Sequence, residues 1–381
     1  MLEKGCLTGI KVIDISRLLP GPFCSSILAD HGARVIAIED KRYEADGHYV
    51  STLYRNKEHM TLDLKSEKGK EIFFQLVKDA DVVLEGFRPG VVKRLGVDYE
   101  KVKNVNNKII YCSITGFGQT GKFRDRAGHD VNYLSLSGIL DLIGEPSKPP
   151  SIPGVQFADI AGAMNGAIGI LLAIIARGKS GKGQYIDISL TDSMIGFHAV
   201  NLFMYQLLND IPKRGDSFLS HHYSFYNTYE TSDNKYISIG ALEHRFWKCL
   251  CEFFNVNEYI PFQFDEEKRV EIIDFFRKQF KTKTLAQWEE ELSKIDVCSA
   301  KIQNLKEMLD DPFFIEREMV VDLKDENGNI IKALGIPAKL SETPGKIHTK
   351  PVKFGENTND ILKEMGFSDE SISDLRTKNI I

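Results

Sequence analysis

Residues 10–39 decide the fold: Ile10-Lys11-Val12-Ile13-Asp14-Ile15, then Pro20-Gly21-Pro22, the stretch Phe23 to His31, Gly32, and Arg34-Val35-Ile36-Ala37-Ile38-Glu39. The first and last are apolar, β-branched runs of strand length. Between them the prolines break the chain, and Phe23 to His31 can form a helix that Gly32 closes at its C-terminus. Strand, helix, strand predicts a βαβ unit whose second strand ends on an acidic residue. The alternation continues outward through Met60–Leu64, a helix over Ser66–Lys78, Ala80–Glu85 and Lys108–Ile114. Strands alternating with helices predict an α/β domain built on a parallel sheet covered on both faces.

Further along, Asp159 to Arg177 reads as one long helix carrying Gly162, Gly166 and Gly169 on a nearly bare face. Glycine disfavours a helix interior by about 1 kcal/mol relative to alanine, so three on one face predict the close approach of another backbone or a ligand. Gln184–Leu190 is a further strand. Beyond residue 212 the chain becomes rich in Phe and Tyr, with amphipathic helices over Asp265–Phe280 and Thr284–Lys294. The expected organisation is a large domain over 1–200, a smaller α+β domain over 213–325, and a return to the large domain over 326–381. Asn327-Gly328-Asn329 serves as a hairpin turn near the start of that return.

Composition narrows the function. The chain has 381 residues, 42% of them hydrophobic and 27% charged, which suits a two-domain soluble protein rather than a disordered chain or a rod. A net charge of −5 disfavours nucleic-acid binding. The six cysteines lack paired spacing; Cys249 and Cys251 are one residue apart, the wrong gap for a metal knuckle. They read as reduced thiols. No cationic stretch followed by an apolar run opens the chain, so no secretory signal is expected. The longest apolar run, Ile168–Ala176, is far short of the roughly 20 residues of a membrane span. A soluble, cytoplasmic protein is the expectation.

Several motifs invite chemistry. Gly116-Phe117-Gly118-Gln119-Thr120-Gly121 fits GxGxxG after a strand, but the polar Lys122-Phe123-Arg124-Asp125-Arg126 follows where a helix should open, which argues against a nicotinamide or flavin site. His221 and His222 are neighbours that would face opposite ways on a strand, so the pair does not chelate one ion. Asp159, at the head of the glycine-rich helix, reads as an N-cap, as a carboxylate near helix N–H groups, or as both. His129 is preceded by glycine and surrounded by short polar groups, with no apolar periodicity to bury it. Arg55, Lys57, Arg88 and Arg94 flank predicted strand ends, where they are either solvated charge or ligands for an anion.

These residues together resemble the class III CoA-transferase superfamily and, within it, the α-methylacyl-CoA racemase branch. The resemblance runs through Leu7-Thr8-Gly9, Pro20-Gly21-Pro22, Arg55-Asn56-Lys57 and Leu62-Asp63-Leu64-Lys65. It continues through Gly86-Phe87-Arg88-Pro89-Gly90, Arg94-Leu95-Gly96, Ser113-Ile114-Thr115-Gly116-Phe117-Gly118 and Gly181-Lys182-Gly183-Gln184. Asp311-Pro312-Phe313-Phe314, Ser341-Glu342-Thr343-Pro344-Gly345 and Phe354-Gly355-Glu356-Asn357-Thr358 complete it. It implies a Rossmann-like large domain with a smaller α+β domain in an interlocked homodimer. The implied substrate is an acyl-CoA, coenzyme A being part of the substrate, with no further cofactor and no metal.

The racemase branch is implied by Gly128-His129-Asp130 with Asn132 and Tyr133. In that branch His129 and Asp159 act as paired acid/bases in a 1,1-proton transfer at the α-carbon, and Glu243 orients the histidine. In the transferases, the alternative, the residue matching Asp159 is the nucleophile that forms an aspartyl-CoA intermediate. The resemblance assigns CoA binding to Lys57, Phe87, Arg88, Arg94 and Tyr133. The helix start after Asp159 is expected to offer N–H groups to an enolate oxygen. Three positions depart from the family pattern. Val155 stands where racemases carry an Asn, and Asp40 where an arginine usually follows the acidic residue. Ser220-His221-His222-Tyr223-Ser224 replaces a stretch rich in glycine and proline.

Overall fold

The computed structural model describes residues 5–325 and 327–381. Six parallel strands form the main sheet: β1 (Lys11–Asp14), β2 (Arg34–Glu39), β3 (Lys57–Thr61), β4 (Val82–Glu85), β5 (Ile110–Thr115) and β6 (Tyr185–Ser189), in the order β3-β2-β1-β4-β5-β6. Strands β2, β4 and β5 are buried almost throughout, the pattern of a sheet covered on both faces. The order reverses between β1 and β4, so the loops leaving those two strands diverge and open a crevice at their C-terminal ends.

Helix α1 (Pro20–Asp30) begins three residues earlier than expected, because proline is tolerated in the first turn, where its missing N–H has no partner to lose. Gly32 closes it with φ +100°. Helix α2 (Glu67–Val77) is capped by Ser66, whose hydroxyl accepts from Gly69 N at 2.9 Å. Short helices α3 (Val91–Leu95), α4 (Tyr99–Val105) and α5 (Asp130–Leu136) precede the long helix α6 (Phe157–Ser180). The glycines of α6 receive side chains: a Cβ at Gly162 would lie 2.1 Å from Leu190 Cδ2, and one at Gly166 would lie 2.8 Å from Ile114 Cδ1. Sheet and helix therefore meet closely, and no ligand is needed to explain the bare face.

At 24 residues α6 is long and apolar enough in composition to cross a membrane, although no single apolar run within it is. Its glycine face is buried on β5, β6 and α1, as in a core helix. The opposite face leaves Met164, Ile168, Leu172 and Ile175 between 46 and 62% exposed, an apolar stripe that the described residues of its own unit do not cover.

The chain divides into two compact units. The first comprises the chain up to Ser137, Gly154–Phe197 and Pro312–Ile381; the second is Gly138–Pro153 with His198–Asp311. The return thus starts at Pro312, and the hairpin Val320–Lys324 with Ile330–Leu334, turning through Asn327-Gly328-Asn329, belongs to the first unit. The C-terminal segment seals the edge of β3: His59 N donates to Asn357 Oδ1 at 2.9 Å and Thr61 N to Thr358 Oγ1 at 3.0 Å, while Ile361, Leu362, Ile372 and Leu375 join the core.

The second unit holds a three-stranded antiparallel sheet, Tyr226–Glu230, Tyr236–Gly240 and Ser299–Lys301, and helices that include His244–Phe253, Arg269–Phe280 and Leu285–Leu292. Its core is aromatic: Phe225, Tyr229, Trp247, Phe276, Phe280 and Trp288. The helix expected from Asp265 starts at Arg269, because Asp265 Oδ1 accepts Lys268 N at 2.8 Å in a turn ahead of it.

Candidate active site

A cleft of about 320 Å³ lies at the switch point of the sheet, in the first unit. Its walls come from the loop after β1 (Arg17, Leu18, Pro20, Gly21), the loop after β4 (Gly86–Pro89), the end of β5 (Ile114–Phe117), the segment Arg124–His129, Tyr133, Asp159 and Leu190. His129, Asp159, Phe87, Arg88 and Tyr133 thus share one cleft, although they come from three separate stretches of sequence.

Local packing explains the loop that carries the histidine. Tyr133 donates to Gly128 O at 2.6 Å, and its ring meets Phe117 edge-on at 5.2 Å. A Cβ at Gly128 would come within 2.7 Å of that ring, and one at Gly116 within 2.4 Å, so both positions admit only glycine. His129 is the N-cap residue of α5, with Asn132 Oδ1 accepting its backbone N–H at 3.0 Å. It is exposed to the cleft side of the loop.

Asp159 is not the N-cap of α6. The helix starts at Phe157, so Asp159 is its third residue and its carboxylate accepts no hydrogen bond among the described residues. Partial burial, with the negative charge of Asp130 added, pushes its carboxyl up to about 6, against a smaller opposing pull from His129. The N–H groups at the head of α6 are already committed. Phe157 N donates to Val155 O at 3.1 Å and Ile160 N to Gln156 O at 3.1 Å. Ala158 N and Asp159 N both donate to Asp130 Oδ1, at 2.7 and 3.1 Å. The expected supply of helix donors to an enolate oxygen is therefore absent as the chain is folded.

The cations sort into committed and free. Lys57 does not reach the cleft. It lies on β3 itself with no side-chain exposure, donating to Pro22 O at 2.8 Å and Ser25 Oγ at 2.7 Å, with Asp14 Oδ2 at 4.0 Å. Burial pulls its ammonium down to about 8. Arg55 is likewise buried, paired with Asp30 at 2.7 Å. Arg17 lines the cleft but is held by Glu39 at 2.5 Å and lies 3.4 Å over the Tyr43 ring. Arg88 lines the cleft, exposed and without an ion pair among the described residues. Arg94 is equally exposed and unpaired on α3, outside the cleft lining.

Arg124 and Arg126 complete the cleft's positive rim, and sequence reasoning overlooked both. The signal was the polar run after the GxGxxG stretch, read only as an argument against a helix. That stretch leads into turns rather than a helix, and Gln119 N donates to the Asp187 carboxylate at 3.0 Å. Phe87, held by its N–H to Glu85 Oε2 at 2.7 Å, borders both this cleft and a small adjoining pocket lined by Glu39, Asp40, Arg42, Tyr43 and Lys65.

Glu243 belongs to the second unit, where it is the N-cap residue of His244–Phe253; its side chain caps nothing and is exposed. In that unit His222 is bound on both sides, Nδ1 to Asp216 Oδ1 at 2.7 Å and Nε2 to Glu266 Oε1 at 3.0 Å. A third cluster, Glu39, His48 and His59, has metal-ligand composition. His59 Nδ1, however, accepts Gly355 N–H at 2.8 Å, which places any ring proton on Nε2, the nitrogen facing Glu39. The ring is thus tied to the backbone through Nδ1, while Nε2 lies 3.5 Å from Glu39 Oε1 and makes no hydrogen bond among the described residues.

Three comparisons with known proteins bear on this geometry. The family model described as CoA-transferase family III matches residues 7–358. Among curated proteins, the human "Alpha-methylacyl-CoA racemase" is 35% identical over 98% of this chain and 97% of its own length. An "Acyl-CoA transferase" of Fusarium pseudograminearum is 31% identical over 100% of this chain and 89% of its own. Among solved structures, a CAIB/BAIF family protein from Brucella suis superposes with TM-score 0.83 at 31% identity, covering 95% of this chain and 100% of that one.

Proposed function

Because the chain belongs to CoA-transferase family III, an enzyme family that includes both racemases and transferases, we propose that it is an acyl-CoA racemase or epimerase acting at the α-carbon of a 2-methyl-branched or related acyl thioester. The observation that carries this reading is the pairing of His129 with an Asp159 whose carboxyl sits near 6 in one cleft. Inversion requires one group to remove the α-proton from one face while another returns a proton to the opposite face. Both groups must exist in either protonation state near neutrality. Asp159 does so because burial and Asp130 disfavour its charge. In one direction the Asp159 carboxylate takes the α-proton, leaving an enolate, and the His129 imidazolium reprotonates the carbon. In the other direction the roles exchange.

In this reading the phosphates of the CoA moiety meet Arg88, Arg124 and Arg126, with Phe87 and Tyr133 as apolar walls. Glu243 is retained as the residue that orients the histidine, and the reaction needs no cofactor or metal beyond the CoA of the substrate. The apolar stripe of α6 supports an interlocked homodimer, since a second copy would remove Met164, Ile168, Leu172 and Ile175 from water. We assign the enzyme to the cytoplasm, without membrane or nucleic-acid partners.

The second reading, a CoA transferase using Asp159 as nucleophile, is favoured by the Fusarium relative. One experiment separates them. The protein is incubated in D2O with a single enantiomer of a 2-methylacyl-CoA and a free carboxylate acceptor, followed by proton NMR and mass spectrometry. Loss of the α-proton signal without a new thioester supports the racemase; a new thioester with the α-proton retained overturns it in favour of the transferase.

A further inference from the structure

Helix α6 has no side-chain cap of its own: its N-cap residue, Gln156, makes no such bond. The cap comes instead from 28 residues earlier in the chain, where Asp130 Oδ1 accepts from Ala158 N at 2.7 Å and from Asp159 N at 3.1 Å. Asp130 is also the first residue of α5 and follows His129 directly. One carboxylate oxygen therefore joins the backbone that carries the acid/base aspartate to the backbone that carries the histidine. We propose that Asp130 is a positioning residue, which locks the start of α6 to the start of α5 and so sets Asp159 in register with His129. This inference rests on the reading of that pair as the reacting groups.

The charge of Asp130 has a second effect. A bare helix N-terminus stabilises a carboxylate in its first turn. Asp130 neutralises that positive end and adds its own negative charge beside Asp159, in the direction that favours a proton on Asp159. The residue thus holds the geometry through its oxygen and the protonation balance through its charge, two functions that substitution can separate. Asparagine keeps an acceptor oxygen and loses the charge, whereas alanine loses both.

The test uses the full-length enzyme and its Asp130→Asn and Asp130→Ala variants, with aspartate labelled by 13C at the carboxyl and the Asp159 signal identified by its loss in Asp159→Asn. In Asp130→Asn the Asp159 midpoint should fall by about one pH unit, and the corresponding limb of the kcat/KM profile should move with it. In Asp130→Ala kcat should fall about 10²-fold with KM little changed, and asparagine should restore most of that loss. An unmoved Asp159 midpoint in Asp130→Asn, or a wild-type kcat in Asp130→Ala, overturns the proposal. Should Asp130→Ala fail to fold, the Asp130→Asn titration decides alone. Should the wild type exchange no α-proton and form no thioester, the functional reading fails, while the titration still judges the proposal.

Discussion

Two of the places that bring a histidine together with carboxylates, at His222 and at His129, do opposite things with them. At His222 every valence is used. Both ring nitrogens face carboxylate oxygens, Tyr223 donates to the same Glu266 oxygen at 2.6 Å, and Arg269 adds a bond to Asp216 at 3.1 Å. The Tyr223 and His222 donors hold Glu266 below its ordinary carboxylate value; at Asp216 burial pushes upward, but His222 and Arg269 outweigh it. At His129 the neighbouring carboxylate, Asp159, has no donor among the described residues and is displaced upward. A saturated cluster is a tie between chain segments. A cluster with an open valence and a proton near neutrality can exchange one with a substrate. Residue type does not distinguish the two; satisfaction does.

The largest expected break in this contrast is Asp159→Asn, which should lower turnover about 10³-fold in either reading, measured as initial rate. His129→Gln sharpens it: α-proton exchange should fall about 10²–10³-fold if the enzyme is a racemase. Thioester transfer should fall only a few-fold if it is a transferase.

Lys57 belongs with the saturated groups. Lys57→Met should lower unfolding stability by about 3 kcal/mol in urea titration, because Asp14 is left buried without its cation, while KM for an acyl-CoA stays near wild type. A raised KM with unchanged stability would instead restore Lys57 as a substrate ligand.

The raised Asp159 carboxyl gives a pH test with a definite sign. Where Asp159 acts as base, the rate should fall as pH drops through about 6; where it acts as acid, from the opposite enantiomer, the rate should fall as pH rises through about 6. A transferase needs the carboxylate as nucleophile and should lose rate below about 6 in both directions.

The smallest effect is expected at His222→Phe. Its partners are partly exposed, so the loss should be about 1 kcal/mol, seen as a drop of a few degrees in Tm, with turnover retained.

Much of this was legible along the chain. The run of apolar, β-branched segments separated by helices specifies a parallel sheet, because buried strands need apolar residues on both faces and parallel pairs need crossovers. The singularity of His129 was legible too: a histidine after glycine, without apolar periodicity, is not a core residue. The glycines of α6 announced a close approach, and Leu190, Ile114 and Ile186 are what approaches.

What the tertiary structure alone decided was direction. Lys57 and Arg88 look alike beside their strands, yet one points under α1 and the other into the cleft, because a side chain on a strand takes the face that the pleat assigns it, whereas one in a loop is free to face solvent. Arg124 and Arg126 became part of the site only when the turns after Gly121 carried them back over the sheet. The cap that Asp130 places on α6 joins segments distant in sequence, and no local pattern encodes a bond whose partner is chosen by how two helices pack. The elements follow from local chemistry; which charges end up open follows from what folding leaves unpaired.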